Sequence, residues 1–235
     1  MTEKLLGGVE KQSGSLFIIG TPIGNLSDIT FRAVETLKSV DFIATEDTRT
    51  SSVLLKHFGI SKPLLSFHSY SGPGRSGEIV AKIKKGASAA LITDAGTPGI
   101  SDPGYILVRD AVDSGVEVIP IPGPTAVITA LSASGLRTDR FIFEGFLPLK
   151  KGRQTKLRAL STESRTIILY ESPHRIGKTL RELQDHFGDR KCVVARELTK
   201  IHESFYRGSF QQVLSLIGES DKRGEFVIVV EGAES

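Results

Sequence analysis

The 235-residue chain has no tryptophan and a single cysteine. One thiol excludes an internal disulfide and a cysteine-rich zinc site and fits a reducing cytoplasm. Within the apolar run Cys192-Val193-Val194-Ala195, that thiol reads as a small core residue. The lack of tryptophan, with aromatics at 7%, argues against an extended base-stacking surface. No apolar stretch approaches the roughly 18 residues that cross a bilayer, and no signal peptide with an apolar centre is visible. The full phosphate loop Gly-x-x-x-x-Gly-Lys-Ser/Thr is missing, and the loops at Gly20 and Gly96 lack the Gly-x-Gly-x-x-Gly spacing: Gly20 and Gly24 are separated by three residues, Gly96 and Gly99 by two. A nucleoside triphosphate or NAD is thereby disfavoured. The five histidines include no His-x-x-x-His pair and no Cys/His cluster, and no Gly-x-Ser-x-Gly elbow occurs. His68 and His174 remain as pocket candidates.

What is present is an ordinary globular composition, 39% hydrophobic and 24% charged, long enough for one large domain or two small ones. The net charge of +3 is unevenly placed. Acids and bases balance over residues 1–140, so the whole excess lies in 141–235. There Lys150, Lys151, Arg153, Lys156 and Arg158 form a basic run with no acid between Pro148 and Leu160. Such a run is either a solvated face or a contact for a phosphate backbone.

Three apolar runs in the first half empty into loops rich in glycine and proline. They are Leu16–Ile19 into Gly20-Thr21-Pro22-Ile23-Gly24-Asn25, Ala89–Thr93 into Asp94-Ala95-Gly96-Thr97-Pro98-Gly99, and Val116–Ile121 into Pro122-Gly123-Pro124-Thr125. Short unbroken apolar runs read as buried parallel strands, and ligands sit where such strands end. Three such loops point to one backbone-lined small-molecule pocket, supplied with the hydroxyls of Thr21, Thr97, Ser101 and Thr125 and the carboxylate of Asp94. Alternating strands and helices predict a mainly parallel sheet over residues 15–134. Helices are expected with Asp28 or Ser101/Asp102 as caps and with Gly59, Gly86, Gly115 and Gly135 as stops. Residues 135–235 predict a second α/β domain with a mixed sheet, including an antiparallel pair across Arg196–Glu203. Residues 1–14 read as a flexible tail.

Six segments then match a known pattern together and in order: Ile19–Leu26 (IGTPIGNL), Ala44–Arg49 (ATEDTR), Thr93–Gly104 (TDAGTPGISDPG), Ile121–Thr125 (IPGPT), Leu169–Arg175 (LYESPHR) and Ala195–Lys200 (ARELTK). In these the chain, from about Gly14 onward, resembles the small-subunit ribosomal RNA ribose 2′-O-methyltransferase branch of the tetrapyrrole methylase superfamily. The resemblance implies two α/β domains of the tetrapyrrole methylase type with the cofactor cleft between them, S-adenosylmethionine (SAM) as methyl donor, a homodimer and a cytoplasmic location. It also implies the substrate, a cytidine in the decoding region of 16S rRNA, free or in the small ribosomal subunit. By the superfamily's pattern Ile23, Asp94, Thr97, Thr125 and Ala126 surround the cofactor, with Gly20, Pro22, Gly24, Gly96, Pro98 and Gly123 in the loops and Tyr170 and Ala195 closing the pocket.

A ribose hydroxyl is a poor nucleophile, so a base or a charge stabilising its oxyanion would help. Glu46, Asp47, Glu171, Glu197 and Lys200 are candidates; Glu171, Glu197 and Lys200 are placed beside the cleft. Arg49, Arg175 and Arg196, with Lys150, Lys151 and Arg153, are candidates for gripping RNA phosphates. Phe67, Tyr70, Tyr170 and Tyr206 are candidate stacking partners for an unstacked base. Two other readings stay open: a methylase acting on a small tetrapyrrole precursor, and a non-catalytic ribosome-binding factor.

Overall fold

The computed structural model describes residues 14–68, 74–217 and 223–234. Tyr70 and all of the expected tail except Gly14 lie outside the described residues. Gly14 itself is buried, and its N–H donates to the Ile83 carbonyl at 3.0 Å. The chain divides into two compact units, one of residues 1–22 and 26–124, the other of residues 23–25 and 125–235.

The first unit holds a five-stranded, wholly parallel sheet in the order β3-β2-β4-β1-β5. The strands are β1 (Ser15–Ile19), β2 (Phe42–Thr45), β3 (Leu64–Ser66), β4 (Ala89–Ile92) and β5 (Glu117–Ile121). Every residue of β2 and β4 is buried, as expected of strands covered on both faces. On one face Leu16 and Leu91 pack with Ile79 and Ile83 of α3 (Gly74–Lys84) and Leu107 and Ala111 of α4 (Tyr105–Asp113). On the other, Ile19, Ile43 and Ile92 pack with Ala33 and Leu37 of α1 (Phe31–Ser39) and Leu55 of α2 (Thr48–His57). Pro120 sits in the edge strand β5, where a missing N–H costs no ladder bond.

Two expected caps are corrected. Thr30, not Asp28, caps α1, its side chain accepting from Ala33 N at 3.1 Å, while Asp28 ends a short 3-10 turn. Helix α4 starts at Gly104 without a side-chain cap, because Asp102 Oδ1 is used by the loop: it accepts from Gly99 N and Gly104 N, both at 2.7 Å. Strand β3 is an addition, a three-residue edge element too short to show as a period.

The second unit holds a mixed sheet in the order β6-β7-β10-β8-β9. Its strands are β6 (Phe141–Phe146), β7 (Thr166–Glu171), β8 (Lys191–Arg196), β9 (Ser204–Ser209) and β10 (Phe226–Val230). Strands β6 and β7 run parallel and the other pairs antiparallel, including the expected β8–β9 pair. Helices α6 (Arg153–Leu160), α7 (Ile176–Phe187) and α8 (Phe210–Leu216) bury Leu157, Leu180 and Val213 with Ile167 and Leu169 on one face. On the opposite face Val127, Ala130 and Leu131 of α5 (Ala126–Ser132) pack against Ile168, Val193 and Val229. That packing assigns α5 to the second unit, so the division falls at 124/125 rather than the expected 134/135. Strand β6 carries a bulge between Phe143 and Gly145, with Gly145 at φ +60°.

Candidate active site

In the first unit the three glycine–proline loops leave three adjacent strands, β4, β1 and β5, at the same edge of the parallel sheet. They are bonded into one structure. Thr21 and Gly96 exchange both backbone bonds (2.9 and 3.0 Å), and the fully buried Thr21 hydroxyl donates to the Thr93 carbonyl at 3.1 Å. The backbones of Gly20 and Gly123 meet so closely that a Cβ on Gly20 would lie 2.9 Å from Gly123 Cα, and one on Gly123 only 2.7 Å from Gly20 O. The Thr97 hydroxyl donates to the Pro124 carbonyl at 3.3 Å. Gly96 and Gly99 both take φ +85°, a region closed to most side chains. Pro22 and Pro98 are buried beneath this edge.

Carboxylates gather at the same edge. Asp94 Oδ1 accepts from the Asp47 backbone N–H at 3.3 Å. Burial, reinforced by repulsion from Asp47 and Asp102, lifts the Asp94 carboxyl above its ordinary range despite that bond. Glu46 is also lifted, first by burial and then by Asp102 and Asp94. Asp47 moves the other way, because Arg49 pairs with it at 2.9 Å. An edge with crowded carboxylates suits a cationic, hydroxyl-bearing ligand and repels a polyphosphate.

The second unit brings together another part of the expected set. Ile23, Ala126 and Tyr170 pack on the cluster that contains the fully buried Ala195. Burial lifts the Tyr170 phenol, a shift partly offset by the Val127 backbone N–H. The Thr125 carbonyl accepts from both the N–H and the hydroxyl of Thr129 (3.1 and 2.9 Å), fixing the start of α5. Residues 23–25 press on the turn after β8: a Cβ on Gly24 would lie 2.4 Å from Lys200 Cγ and 2.9 Å from Leu198 O. In that turn Glu197 and Thr199 adopt φ +52° and +65°, left-handed conformations rare for such residues. Lys200 Nζ donates to Glu197 Oε1 (2.8 Å) and Glu225 Oε2 (3.0 Å). Burial opposes the Lys200 charge, but these two bonds prevail and hold its pKa above the ordinary value. For Glu197, burial is outweighed by Lys200 and the Glu225 N–H, which keep the carboxyl low. Both groups therefore stay charged at neutral pH, which suits a stabiliser of negative charge better than a base. A polar recess of about 730 Å³ adjoins the turn, lined by Arg196, Glu197, His202, Glu203 and Arg223 among others. Arg196 Nε donates there to the Arg223 carbonyl at 2.8 Å.

Several expectations are corrected by burial. Glu171 is 2% exposed, and its oxygens are taken by Ser172 N (2.7 Å), Arg175 Nε (2.7 Å) and the Thr179 hydroxyl (2.6 Å). It is built as a structural acceptor, not as a base open to substrate. Arg153 is 5% exposed and is withdrawn from the phosphate-gripping set: it binds Glu182 Oε2 (2.8 Å), the Thr179 hydroxyl (2.7 Å) and the Pro148 carbonyl (3.1 Å). Arg175, beside Glu171, belongs to the same network. Phe67 is a core residue and Tyr206 packs against the helical face, so neither offers a stacking surface. Lys150, Lys151 and Arg49 are exposed, although Arg49 is paired with Asp47. Sequence reasoning missed Phe146, 55% exposed at the end of β6 with its ring 5.7 Å from that of Tyr170. Its only signal was a bulge marked by Gly145.

Residues 15–214 match the model of the family described as Tetrapyrrole (Corrin/Porphyrin) Methylases. The chain is 54% identical over 222 residues to the ribosomal RNA small subunit methyltransferase I of Synechocystis sp., covering 94% of this chain and 80% of that one. It is 46% identical to the protein of the same name from Thermotoga maritima, covering 94% of this chain and 100% of that one. Among solved structures, a diphthine synthase superposes with a TM-score of 0.72 at 15% identity, covering 93% of this chain and 90% of that one. A cobalt precorrin-4 methyltransferase gives 0.66 at 21%, covering 92% and 94%. These last two likenesses concern the fold alone.

Proposed function

Since this chain belongs to the tetrapyrrole methylases, and its relatives at 46–54% identity are ribosomal RNA small subunit methyltransferases, we propose that it methylates 16S rRNA, using SAM, on the ribose 2′-oxygen of a cytidine in the decoding region. The observation that carries the cofactor assignment is the set of three bonded loops at the edge of the first sheet, with Asp94 and Glu46 crowded beside them. The chemistry of this edge fits SAM: the crowded carboxylates of Asp94 and Glu46 suit its cationic charge and its hydroxyls, and the three loops carry no phosphate-binding motif.

When bound, SAM supplies an electrophilic methyl group whose C–S bond breaks as the new O–C bond forms. The residues contribute alignment and exclusion of water, which account for several kcal/mol of barrier lowering. Lys200, held as an ammonium, suits the stabilisation of negative charge on the 2′-oxygen. Glu197 fixes Lys200, and the strained turn at residues 197–199 fixes both. Lys150, Lys151 and Arg196 serve the RNA backbone. The protein acts in the cytoplasm as a homodimer, for which Phe31, 92% exposed on α1, offers apolar surface. No helix among the described residues is long and apolar enough to cross a membrane. A tetrapyrrole precursor as substrate is not favoured, because the relatives at high identity are named for ribosomal RNA.

Calorimetry of SAM binding to the wild type and Asp94→Ala, followed by methylation of 30S subunits and of naked 16S rRNA, tests the proposal. Binding weakened by the substitution, with label on ribose, is expected. Wild-type protein that binds SAM but labels only bases, or only a tetrapyrrole, would refute it.

A further inference from the structure

Resting on the reading of the substrate as RNA, we propose that Phe146 is a base-stacking residue, the centre of a small docking surface with Leu149, Lys150 and Lys151 for an unpaired nucleotide of the rRNA.

The argument starts with strand parity. Residues 143 and 146 are an odd number apart, so in an unbroken strand their side chains would point to opposite faces. The bulge between Phe143 and Gly145 adds one residue, and Phe146 pairs with Tyr170 in the resulting register. Both phenylalanine rings then meet Tyr170 edge-on, Phe143 at 4.9 Å and 68°, Phe146 at 5.7 Å and 61°. Bulges commonly re-aim a side chain beside a functional site. Phe143 is partly buried there, whereas Phe146 keeps 55% of its surface in solvent.

The chain beyond Phe146 is rigid without being covered. Leu147 is 3% exposed and anchors the segment, the Pro148 carbonyl accepts from the buried Arg153, and Gly152 turns the chain at φ +84°. Leu149, between these anchors, is 73% exposed. Lys150 and Lys151 follow, both exposed and neither bonded to a carboxylate among the described residues. The nearest acid on β6, Glu144, is occupied by Lys156 at 2.5 Å. An aromatic ring with a bare face, an exposed leucine and two uncompensated cations on a pre-formed segment match the demands of single-stranded RNA, whose bases stack and whose phosphates attract lysine. The buried Glu171–Thr179–Arg153 network thus acts as the foundation of this surface.

The absence of tryptophan supplies the probe: Phe146→Trp places the only indole of the chain on this surface. Titration with a short single-stranded RNA from the decoding region is expected to quench it saturably, and less at high salt. In anisotropy measurements Phe146→Trp should bind that RNA like the wild type, while Phe146→Ala and Phe146→Leu weaken binding roughly 5- to 100-fold. Lys150→Ala/Lys151→Ala should reduce the salt slope by about 1.4, at roughly 0.7 per phosphate on a single strand. Phe146→Leu equal to wild type would mean apolar packing without stacking and would overturn the proposal. So would a fluorescence change that follows protein concentration without RNA, which would give the surface to a second copy of the chain. Parallel SAM binding and 30S methylation keep the two readings apart. A wild type active in both with Phe146→Ala unaffected sinks only this inference, whereas a wild type inactive in both sinks the methyltransferase reading.

Discussion

Replacing Glu171 by glutamine separates a structural carboxylate from a catalytic one. The side chain lies at 0% exposure and takes three donors, with Arg175 and, through Thr179, Arg153 depending on it. A glutamine carbonyl can hold one oxygen position. If it keeps the Oε1 site, its amide faces the Thr179 hydroxyl, which already accepts from Arg153. Bonds to charged groups contribute about 1.5–3 kcal/mol each. One bond lost and another weakened therefore cost about 2–4 kcal/mol, below the roughly 3–5 kcal/mol for deleting one partner of a buried pair. At about 2–4 °C per kcal/mol for a chain of this length, Tm should fall by about 4–16 °C in scanning calorimetry. Well below Tm, kcat should drop less than tenfold and the KM for RNA should rise, because the segment carrying Lys150 and Lys151 loosens. Loss of a general base gives the opposite pattern, an unchanged fold with kcat lower by about 10²–10⁴. An unaltered Tm together with a hundredfold loss of kcat would refute the structural assignment.

Gly20→Ala or Gly123→Ala forces a methyl group against the facing backbone, and overpacking of about 1–3 kcal/mol should lower Tm by about 2–12 °C and weaken SAM binding; a wild-type Tm in both variants would contradict the close approach. Asp94 and Glu46 are held above their ordinary values of 3.8 and 4.5, so a bound cation should drive proton release, and SAM affinity should fall as pH drops into the window just above those values. In the ligand-free protein a raised carboxylate destabilises the fold once ionised. Asp94→Asn should therefore raise Tm at neutral pH, a gain that disappears as pH falls below 3.8; equal melting of the two proteins across that range would count against the crowding. Burial pushes the Cys192 thiol up to about 12, from 9.0, so at pH 8 ionisation alone should slow its labelling by a thiol reagent about a thousandfold until the protein unfolds. Rapid stoichiometric labelling of the native protein would show that β8 is not buried.

The parallel half of the fold was readable because its signals are local: unbroken apolar runs, then glycine and proline. The cofactor candidates at Gly20, Asp94, Gly96 and Thr97 followed from that pattern and occupy one bonded edge of the sheet. Signals that depend on a distant partner were not readable. Arg153 stands in a basic run that looks solvated, and nothing nearby announces Glu182 in the next helix. Helix α5 has the same apolar content whichever sheet it covers, so only packing on Ile168 and Val193 fixed its allegiance. Strand β3, three residues long, has no period to detect.

The chain passes between its two units at 22/23, 25/26 and 124/125. Neither unit is therefore a continuous stretch of polypeptide. A fragment beginning at Thr125 lacks Ile23, which packs on the second sheet, and Gly24, which presses on the Lys200 turn. The second unit is thus completed by three residues made a hundred or more positions earlier. Its finished form has to wait for both ends of the chain, and a gene cut at the obvious boundary would encode two incomplete halves.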